Sequence, residues 1–295
     1  MTTPTPQSSQ SAPAKLDDSA LLILGSGRLG RSLQGAFEHA GLTVRAASGR
    51  EPVPQAALHE ATLAILAVPD QAIAEKAAEL AAAGPRPSTC FVHLSGALGL
   101  EVLAPLRERG CAVGSFHPFQ PFAAERPPTA FHGATIGIDA DDDALRRFLP
   151  QLAERLGAHA RPVPDADRAL YHAAAVMAST YVVALAAQAQ QLLQALGWSR
   201  KEALVALIPL IGGTLENLAN EGVPDAITGP LRRGDVDTIA HHLDALARVE
   251  SSTPANVYRV LGLAATDLAR AIGLEPAAAE RVTALLRDAN AMACR

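Results

Sequence analysis

Leu21-Leu22-Ile23-Leu24-Gly25-Ser26-Gly27-Arg28-Leu29-Gly30 is an apolar run closed by three glycines in the spacing G-x-G-x-x-G, and a helical pattern follows it to His39. An apolar run of this length bounded by glycine fits a strand buried on both faces. In a strand–turn–helix context the first glycine permits a tight turn. The second lets backbone amides approach a pyrophosphate, and the third allows the helix to pack closely on the strand. The free N–H groups and partial positive charge of the helix start then suit an anion.

Working outward, the same alternation continues. Leu42–Ala47, Ala61–Val68, Thr89–Leu94, Cys111–Phe116 and Ala134–Ile138 read as strands, with His159–Val163 as an edge strand. Helical patterns lie between them over Gln71–Ala83, Leu100–Arg109 and Asp141–Leu156. Strands alternating with helices predict an α/β fold, an N-terminal Rossmann-type doubly wound and mostly parallel sheet. After Pro164 the strand signal stops. Asp165–Leu196 reads as one long alanine-rich helix. Arg200–Asn220, Asp235–Arg248, Pro254–Ile272 and Pro276–Met292 complete an all-α region. The expected organisation is a disordered tail over 1–19, an α/β domain over 20–163 and an all-helical domain over 164–295.

Composition narrows the function classes. Of 295 residues, 49% are hydrophobic and 19% charged, with a net charge of -5, so a basic nucleic-acid-binding surface is not indicated. The polar residues 1–19 lack the basic start and apolar centre of a signal peptide. Ala173–Ala189 is the most apolar later stretch. Ser179, Thr180 and Gln188 interrupt it, so a core helix is expected there rather than a membrane span. Cys90, Cys111 and Cys294 have no metal-ligand spacing and fit a reducing cytoplasm. Lys15, Lys76 and Lys201 are the only lysines, which leaves few candidates for lysine-based chemistry.

The strand ends supply the candidate site, because open α/β sheets bind ligands beyond the C-terminal ends of their strands. Gly25, Ser26, Gly27, Arg28, Leu29 and Gly30 are the expected phosphate turn, and Val68-Pro69 the loop over which a cofactor passes. At the end of the second strand, an acid that would hold the ribose of NAD is replaced by Ala46-Ala47-Ser48-Gly49-Arg50. Ser48, Gly49 and Arg50 would receive a 2′-phosphate, with Arg28 as a second cation, because a guanidinium fork matches phosphate oxygens. NADP(H) is therefore the expected dinucleotide, although Glu51 lies one residue on. Ser95 and His117 close neighbouring strands and are expected together at the reacting end. Histidine serves there as an acid or base, and serine as a hydrogen-bonding hydroxyl or simply as a cap. Tyr171-His172 lies one turn into the long helix, whose spacing puts His172, Val176 and Ser179 or Thr180 on one face, bordering the expected interdomain cleft. His172 is a second proton-transfer candidate, and Ser179 and Thr180 are substrate candidates. In Thr228–Asp235, Arg233 could bind a carboxylate and Asp235 could touch substrate or cap the next helix. The adjacent His241 and His242 do not look like a metal pair, and no metal is expected.

Taken together, several segments resemble a family of Rossmann-like proteins with a C-terminal helical domain of unknown function. They are Gly25–Gly30, Ala67–Asp70, His93–Leu98, Phe116–Pro118, Tyr171–Ala174 and Thr228–Asp235. Members are labelled NADP oxidoreductases, sometimes deazaflavin-dependent, by inference from fold. The organisation is also similar to the 6-phosphogluconate and β-hydroxyacid dehydrogenases, ketopantoate and pyrroline-carboxylate reductases and prephenate dehydrogenases. The lysine and asparagine that β-hydroxyacid dehydrogenases place on the first helix of the second domain match Val176 and Thr180 here, which argues against their lysine mechanism. Ser95 and His117-Pro118 match the serine and His-Pro pair of prephenate dehydrogenases, but Ala97 stands where those enzymes carry a lysine.

The resemblance implies an NADP(H)-dependent hydride transfer on a small polar, carboxylate-bearing carbonyl, hydroxyl or imine compound, for example a 2-oxo acid such as ketopantoate. It also implies a homodimer formed through the helical region. A non-catalytic NADPH-binding regulator and a deazaflavin-linked reductase are the rival expectations, distinguished by NADPH binding without turnover and by a coloured bound cofactor.

Overall fold

The structure is a computed structural model that describes Leu16 and residues 19–288. Apart from Leu16 and Ser19, the expected tail lies outside the described residues, as does Cys294. The chain forms two compact units, Met1–Ser179 and Thr180–Arg295.

In the first unit, β1 (Ala20–Leu24), α1 (Arg28–His39), β2 (Thr43–Ala47), α2 (Gln55–Glu60), β3 (Leu63–Leu66), α3 (Asp70–Ala82), β4 (Cys90–His93), α4 (Ala104–Arg107), β5 (Val113–Pro118), β6 (Thr135–Ala140), α5 (Asp143–Arg155) and β7 (His159–Pro162) follow in order. They build one seven-stranded sheet, ordered β2-β1-β3-β4-β5-β6-β7, in which only the β5–β6 pair is antiparallel. Side chains of a strand alternate between faces. Leu21 and Ile23 accordingly join a core with Leu33 and Phe37 of α1 and Leu145, Phe148 and Leu149 of α5. Leu22 and Leu24 join the opposite core with Leu58 of α2, Ile73 and Leu80 of α3 and Leu106 of α4. This double burial explains why β1, β3 and β4 read as unbroken apolar runs. Cys90 and Cys111 are buried, which pushes their thiols up to about 12 and about 11.

The expected long helix over Asp165–Leu196 is two helices, α6 (Arg168–Ala178) and α7 (Thr180–Ala195). Ser179 breaks it, with φ -123 and ψ -69, and its hydroxyl donates to the Ala175 carbonyl at 2.8 Å. The break coincides with the boundary between the two compact units. Helix α6 belongs with the sheet because Arg168 and Tyr171 bond to groups on β5.

The second unit comprises α7, α8 (Arg200–Glu221), α9 (Gly229–Arg233), α10 (Val236–Leu246), α11 (Thr253–Ala271) and α12 (Pro276–Arg287). A capping box starts α8: Ser199 accepts from the Glu202 N–H, and Glu202 accepts from the Ser199 N–H. Its main core is Ile239, Leu243, Val282 and Leu286. Arg259 donates to the Leu285 and Leu286 carbonyls at 3.1 and 3.0 Å, a cation at the negative end of α12. Helix α7 has no buried residue, which overturns the expectation of a core helix over Ala173–Ala189. Val183, Val205 and Leu210 are 71%, 65% and 68% exposed. Two helical stretches, Asp165–Ala195 and Arg200–Glu221, are long and apolar enough by composition to cross a membrane.

Candidate functional site

The glycine turn joins β1 to α1, and each glycine has a distinct physical reason. Gly25 has φ +133, and a Cβ there would lie 2.2 Å from the Ala67 carbonyl oxygen. A Cβ on Gly30 would lie 2.2 Å from the Gly25 carbonyl oxygen, so the third glycine seals helix against turn. Around Gly27 nothing stands within 4 Å of that position. Gly27 is also the N-cap of α1, without a capping side chain and with no acid in the first turn. The helix start therefore presents free N–H groups to open space, as an anion site requires.

A cleft of about 650 Å³ opens at this turn. It is lined by Gly25, Ser26 and Gly27, by Ser48, Gly49, Arg50 and Glu51 beyond β2, and by Ala67, Val68, Pro69 and Ala72 beyond β3. A Cβ on Gly49 would lie 2.7 Å from Val68, so this residue keeps the two walls close. The Ser48 hydroxyl accepts from the Arg50 N–H at 3.2 Å, while the Arg50 side chain is exposed. Arg28, Leu29 and Gly30 do not line the cleft, but Arg28 begins α1 beside it. A second arginine, Arg31, buttresses the turn: it pairs with Glu125 at 2.7 Å and donates to the Ser26 carbonyl.

Farther along the same sheet edge, β4 and β5 end in His93 and in His117-Pro118. From β1 to β5 is three strand spacings, about 14 Å. His117 Nδ1 lies 2.8 Å from the Tyr171 hydroxyl, and the two rings meet edge to face at 5.5 Å. Phe119 packs on both rings. The backbone is cut back to seat the pair: a Cβ on Gly96 would lie 2.7 Å from the imidazole, and one on Gly137 2.7 Å from the Tyr171 hydroxyl. Burial, reinforced by the charges of His172 and Arg168 against that of Asp70, pushes His117 down to about 4. Burial likewise pushes Tyr171 up to about 12. At neutral pH both are uncharged. His93, fully buried behind them, is also pushed down to about 4, by burial and then by Arg168.

Arg168 is 2% exposed and anchors this corner. It donates to Asp165 at 3.1 Å and to the Ser115 hydroxyl, and sits 3.8 Å from Asp139. Asp165 in turn accepts from the Leu100 N–H. Sequence reasoning assigned no role to Arg168, Asp139, Asp165 or Ser115. The one available signal was an acid three residues before an arginine at a helix start. Tyr171 was in view only as the neighbour of His172.

The other expected site residues are placed as follows. The Ser95 hydroxyl donates to Asp70 at 2.7 Å and accepts from the Ala97 and Leu98 N–H groups, so it closes the loop after β4. His172 is near enough for its charge to oppose protonation of His117. Ser179 ends the first unit. Thr180, Arg233 and Asp235 belong to the second, where Asp235 is the N-cap of α10, accepting from the Thr238 N–H and hydroxyl. Among the described residues no group of three or more His, Cys, Asp or Glu could hold a metal ion.

Comparison with known proteins agrees with this architecture. A Rossmann-like domain matches residues 1–118, and the domain of unknown function DUF2520 matches residues 134–266. The DUF2520 match begins at the last two strands and extends into α11. No curated protein matches.

Among solved structures, BF3122 from Bacteroides fragilis, assigned as an NADP oxidoreductase, is 23% identical with a TM-score of 0.67, over 86% of this chain and 100% of that one. Protein TM1727 from Thermotoga maritima is 24% identical with a TM-score of 0.66, over 85% and 99%. The Plasmodium falciparum pyrroline carboxylate reductase, solved with NADP bound, is 13% identical with a TM-score of 0.56, over 92% and 99%. At these identities the likeness establishes the fold, one shared with NAD(P)-dependent reductases. The chain therefore joins a Rossmann-like domain to the domain of unknown function DUF2520.

Proposed function

We propose that the chain is an NADP(H)-dependent oxidoreductase acting on a small polar carbonyl, hydroxyl or imine compound. A carboxylate-bearing 2-oxo acid such as ketopantoate lies within that class. One observation carries the reading: the cleft at the open Gly27 turn also contains Ser48 and the exposed Arg50. The free N–H groups of α1 would hold the pyrophosphate, and Ser48 and Arg50 the 2′-phosphate. The dinucleotide supplies hydride when bound. The chain's own part is proton handling, and the neutral pair His117–Tyr171 stands on the same sheet edge for it.

Fluorescence titration should show NADPH binding at least tenfold tighter than NADH. Arg50→Ala should remove that preference, since a hydrogen bond to a charged group contributes about 1.5–3 kcal/mol. Equal binding of the two, or unchanged NADPH affinity in Arg50→Ala, would overturn the assignment. The reaction class is then tested by following NADPH absorbance across 2-oxo acids and cyclic imines.

The same reading includes a homodimer. In the second unit Tyr181, Val183, Leu185, Val205, Ile208 and Leu210 are exposed apolar side chains on α7 and α8. A surface of this kind marks an interface. Although both helical stretches are long enough to cross a membrane, Gln188, Gln190, Gln191 and Gln194 of α7 and Glu216, Asn217 and Asn220 of α8 place amide and carboxylate groups along them, to which lipid offers no partner. A second copy suits it better than lipid. Light scattering of detergent-free protein should give twice the chain mass, and a monomer that stays dispersed would exclude this interface.

A further inference from the structure

We propose that Glu125, in the loop after β5, is a positioning residue for the pyrophosphate of the dinucleotide: through Arg31 it sets the glycine turn that receives the phosphates. The proposal rests on the dinucleotide reading and deepens it. It adds to the site a residue that lies 94 positions from Arg31 in the sequence.

Arg31 is the fourth residue of α1, close to the positive end of the helix, where a cation is disfavoured. The first turn of α1 holds no acid to offset it. Glu125 brings the missing anion from another segment, its Oε2 accepting from Arg31 Nε at 2.7 Å. With Nε engaged in this way, Nη1 of the same guanidinium donates to the Ser26 carbonyl. One rigid planar fork therefore joins the loop to the turn.

The consequence falls on the next amide. A peptide unit is planar and trans, so its C=O and N–H point in opposite directions. Holding the Ser26 carbonyl toward Arg31 directs the Gly27 N–H away from Arg31. Ser26 and Gly27 line the cleft of about 650 Å³ and Arg31 does not. Nothing stands within 4 Å of the place a Gly27 Cβ would take. The amide fixed by the fork thus belongs to the open part of the turn, where a pyrophosphate oxygen would accept from it.

The loop that carries Glu125 is itself held. The Arg126 N–H donates to the Ser32 hydroxyl at 2.9 Å, and that hydroxyl, buried on α1, donates to the Arg28 carbonyl at 2.7 Å. The Arg126 side chain donates to Gln120 at 3.2 Å. Phe122 meets Phe131 with ring centroids 5.7 Å apart and packs against the same core as Leu29. The carboxylate is in place before a ligand arrives, so the turn is ordered in advance and binding need not order it.

Removing the charge of Glu125 separates field from positioning by sign. By its field alone, loss of a carboxylate would tighten the binding of an anionic dinucleotide. Loss of positioning weakens it. The experiment titrates the full chain with NADPH and NADH by fluorescence and with ADP by calorimetry, since ADP carries the pyrophosphate without the nicotinamide or the 2′-phosphate. In Glu125→Gln all three should bind about fivefold to tenfold more weakly, close to what one lost hydrogen bond removes. The ratio of NADPH to NADH affinity should not move, which separates Glu125 from Arg50. Arg31→Met should weaken all three as well. The double variant should bind no more weakly than Arg31→Met alone, because Glu125 acts through Arg31. The urea midpoint should stay near that of the unsubstituted chain, because both side chains are about half exposed and such a pair adds little to stability.

Unchanged or tighter binding in Glu125→Gln overturns the proposal. So does a loss confined to NADPH, an additive loss in the double variant, or a fall in urea midpoint that accounts for the lost affinity. If the unsubstituted chain binds none of the three probes, the dinucleotide reading fails and the proposal fails with it. If it binds them and Glu125→Gln does not weaken them, the proposal alone fails.

Discussion

Replacing Arg168 by methionine should destabilise the first unit by about 3 kcal/mol, the low end of the range for stranding a buried ion pair. The guanidinium is buried and is shared among Asp165, Asp139 and the Ser115 hydroxyl. Asp165 and Asp139 keep 49% and 23% of their side-chain surface exposed, so water compensates for part of the lost partner. Asp139 already lies above the usual carboxylate range because of burial, with Arg168 acting against that rise. Without the cation its charge is left with less compensation still.

The damage should not stay local. Asp165 holds the Leu100 N–H, and a Cβ on Gly99 would lie 2.6 Å from its carboxylate, so the loop after β4 rests on it. Arg168 is three residues before Tyr171 on α6, so loosening it also loosens the bond to His117. Urea unfolding followed by circular dichroism measures the loss. A shift below about 1 kcal/mol would mean that the network contributes little more than a surface pair. Arg168→Lys should recover only part, because an ammonium cannot reproduce the planar fork.

The network also marks where the sequence ran out. The sheet was legible because double burial writes its strands as unbroken apolar runs, and the phosphate turn because glycine spacing is local. Ser48–Arg50 could be placed beside that turn because one strand pairing brings them there. Arg168, Asp139 and Ser115 are far apart in sequence, and each is unremarkable alone; only the antiparallel pairing of β5 with β6 puts Ser115 opposite Asp139. Tyr171 was hidden for the same reason, since its partner lies 54 residues away. The break at Ser179 escaped because serine and threonine are tolerated inside helices. The burial expected of Ala173–Ala189 failed for a different reason. An apolar helix face states that something covers it, not that the same chain does.

Acid should destabilise the protein well above the range in which carboxylates titrate. His93 and His117 are held down to about 4 in the folded chain, against an ordinary value of 6.5. Between those values the unfolded chain binds more protons than the folded one, so stability rises with pH through the window. The contribution is complete above pH 6.5 and is lost as pH falls toward 4. A separation of roughly 2.5 pH units corresponds to about 3 kcal/mol for each fully buried histidine. His117 is partly exposed and will contribute less, so a combined loss of about 3–4 kcal/mol between pH 7 and 4.5 is expected.

Other groups act outside this window or against it. Glu202, Asp235 and Glu275 are held below the usual carboxylate range by N-cap hydrogen bonds, so their share is lost only at lower pH. Asp139, raised by burial, works in the opposite sense and offsets a little of the loss. Urea unfolding at pH 7 and at pH 4.5 gives the difference directly. His93→Asn should flatten the pH dependence by about half, even where it lowers stability at pH 7. If the unsubstituted protein keeps its pH 7 stability at pH 4.5, the two histidines are not buried as neutral rings. The uncharged pair at the sheet edge would then have no basis.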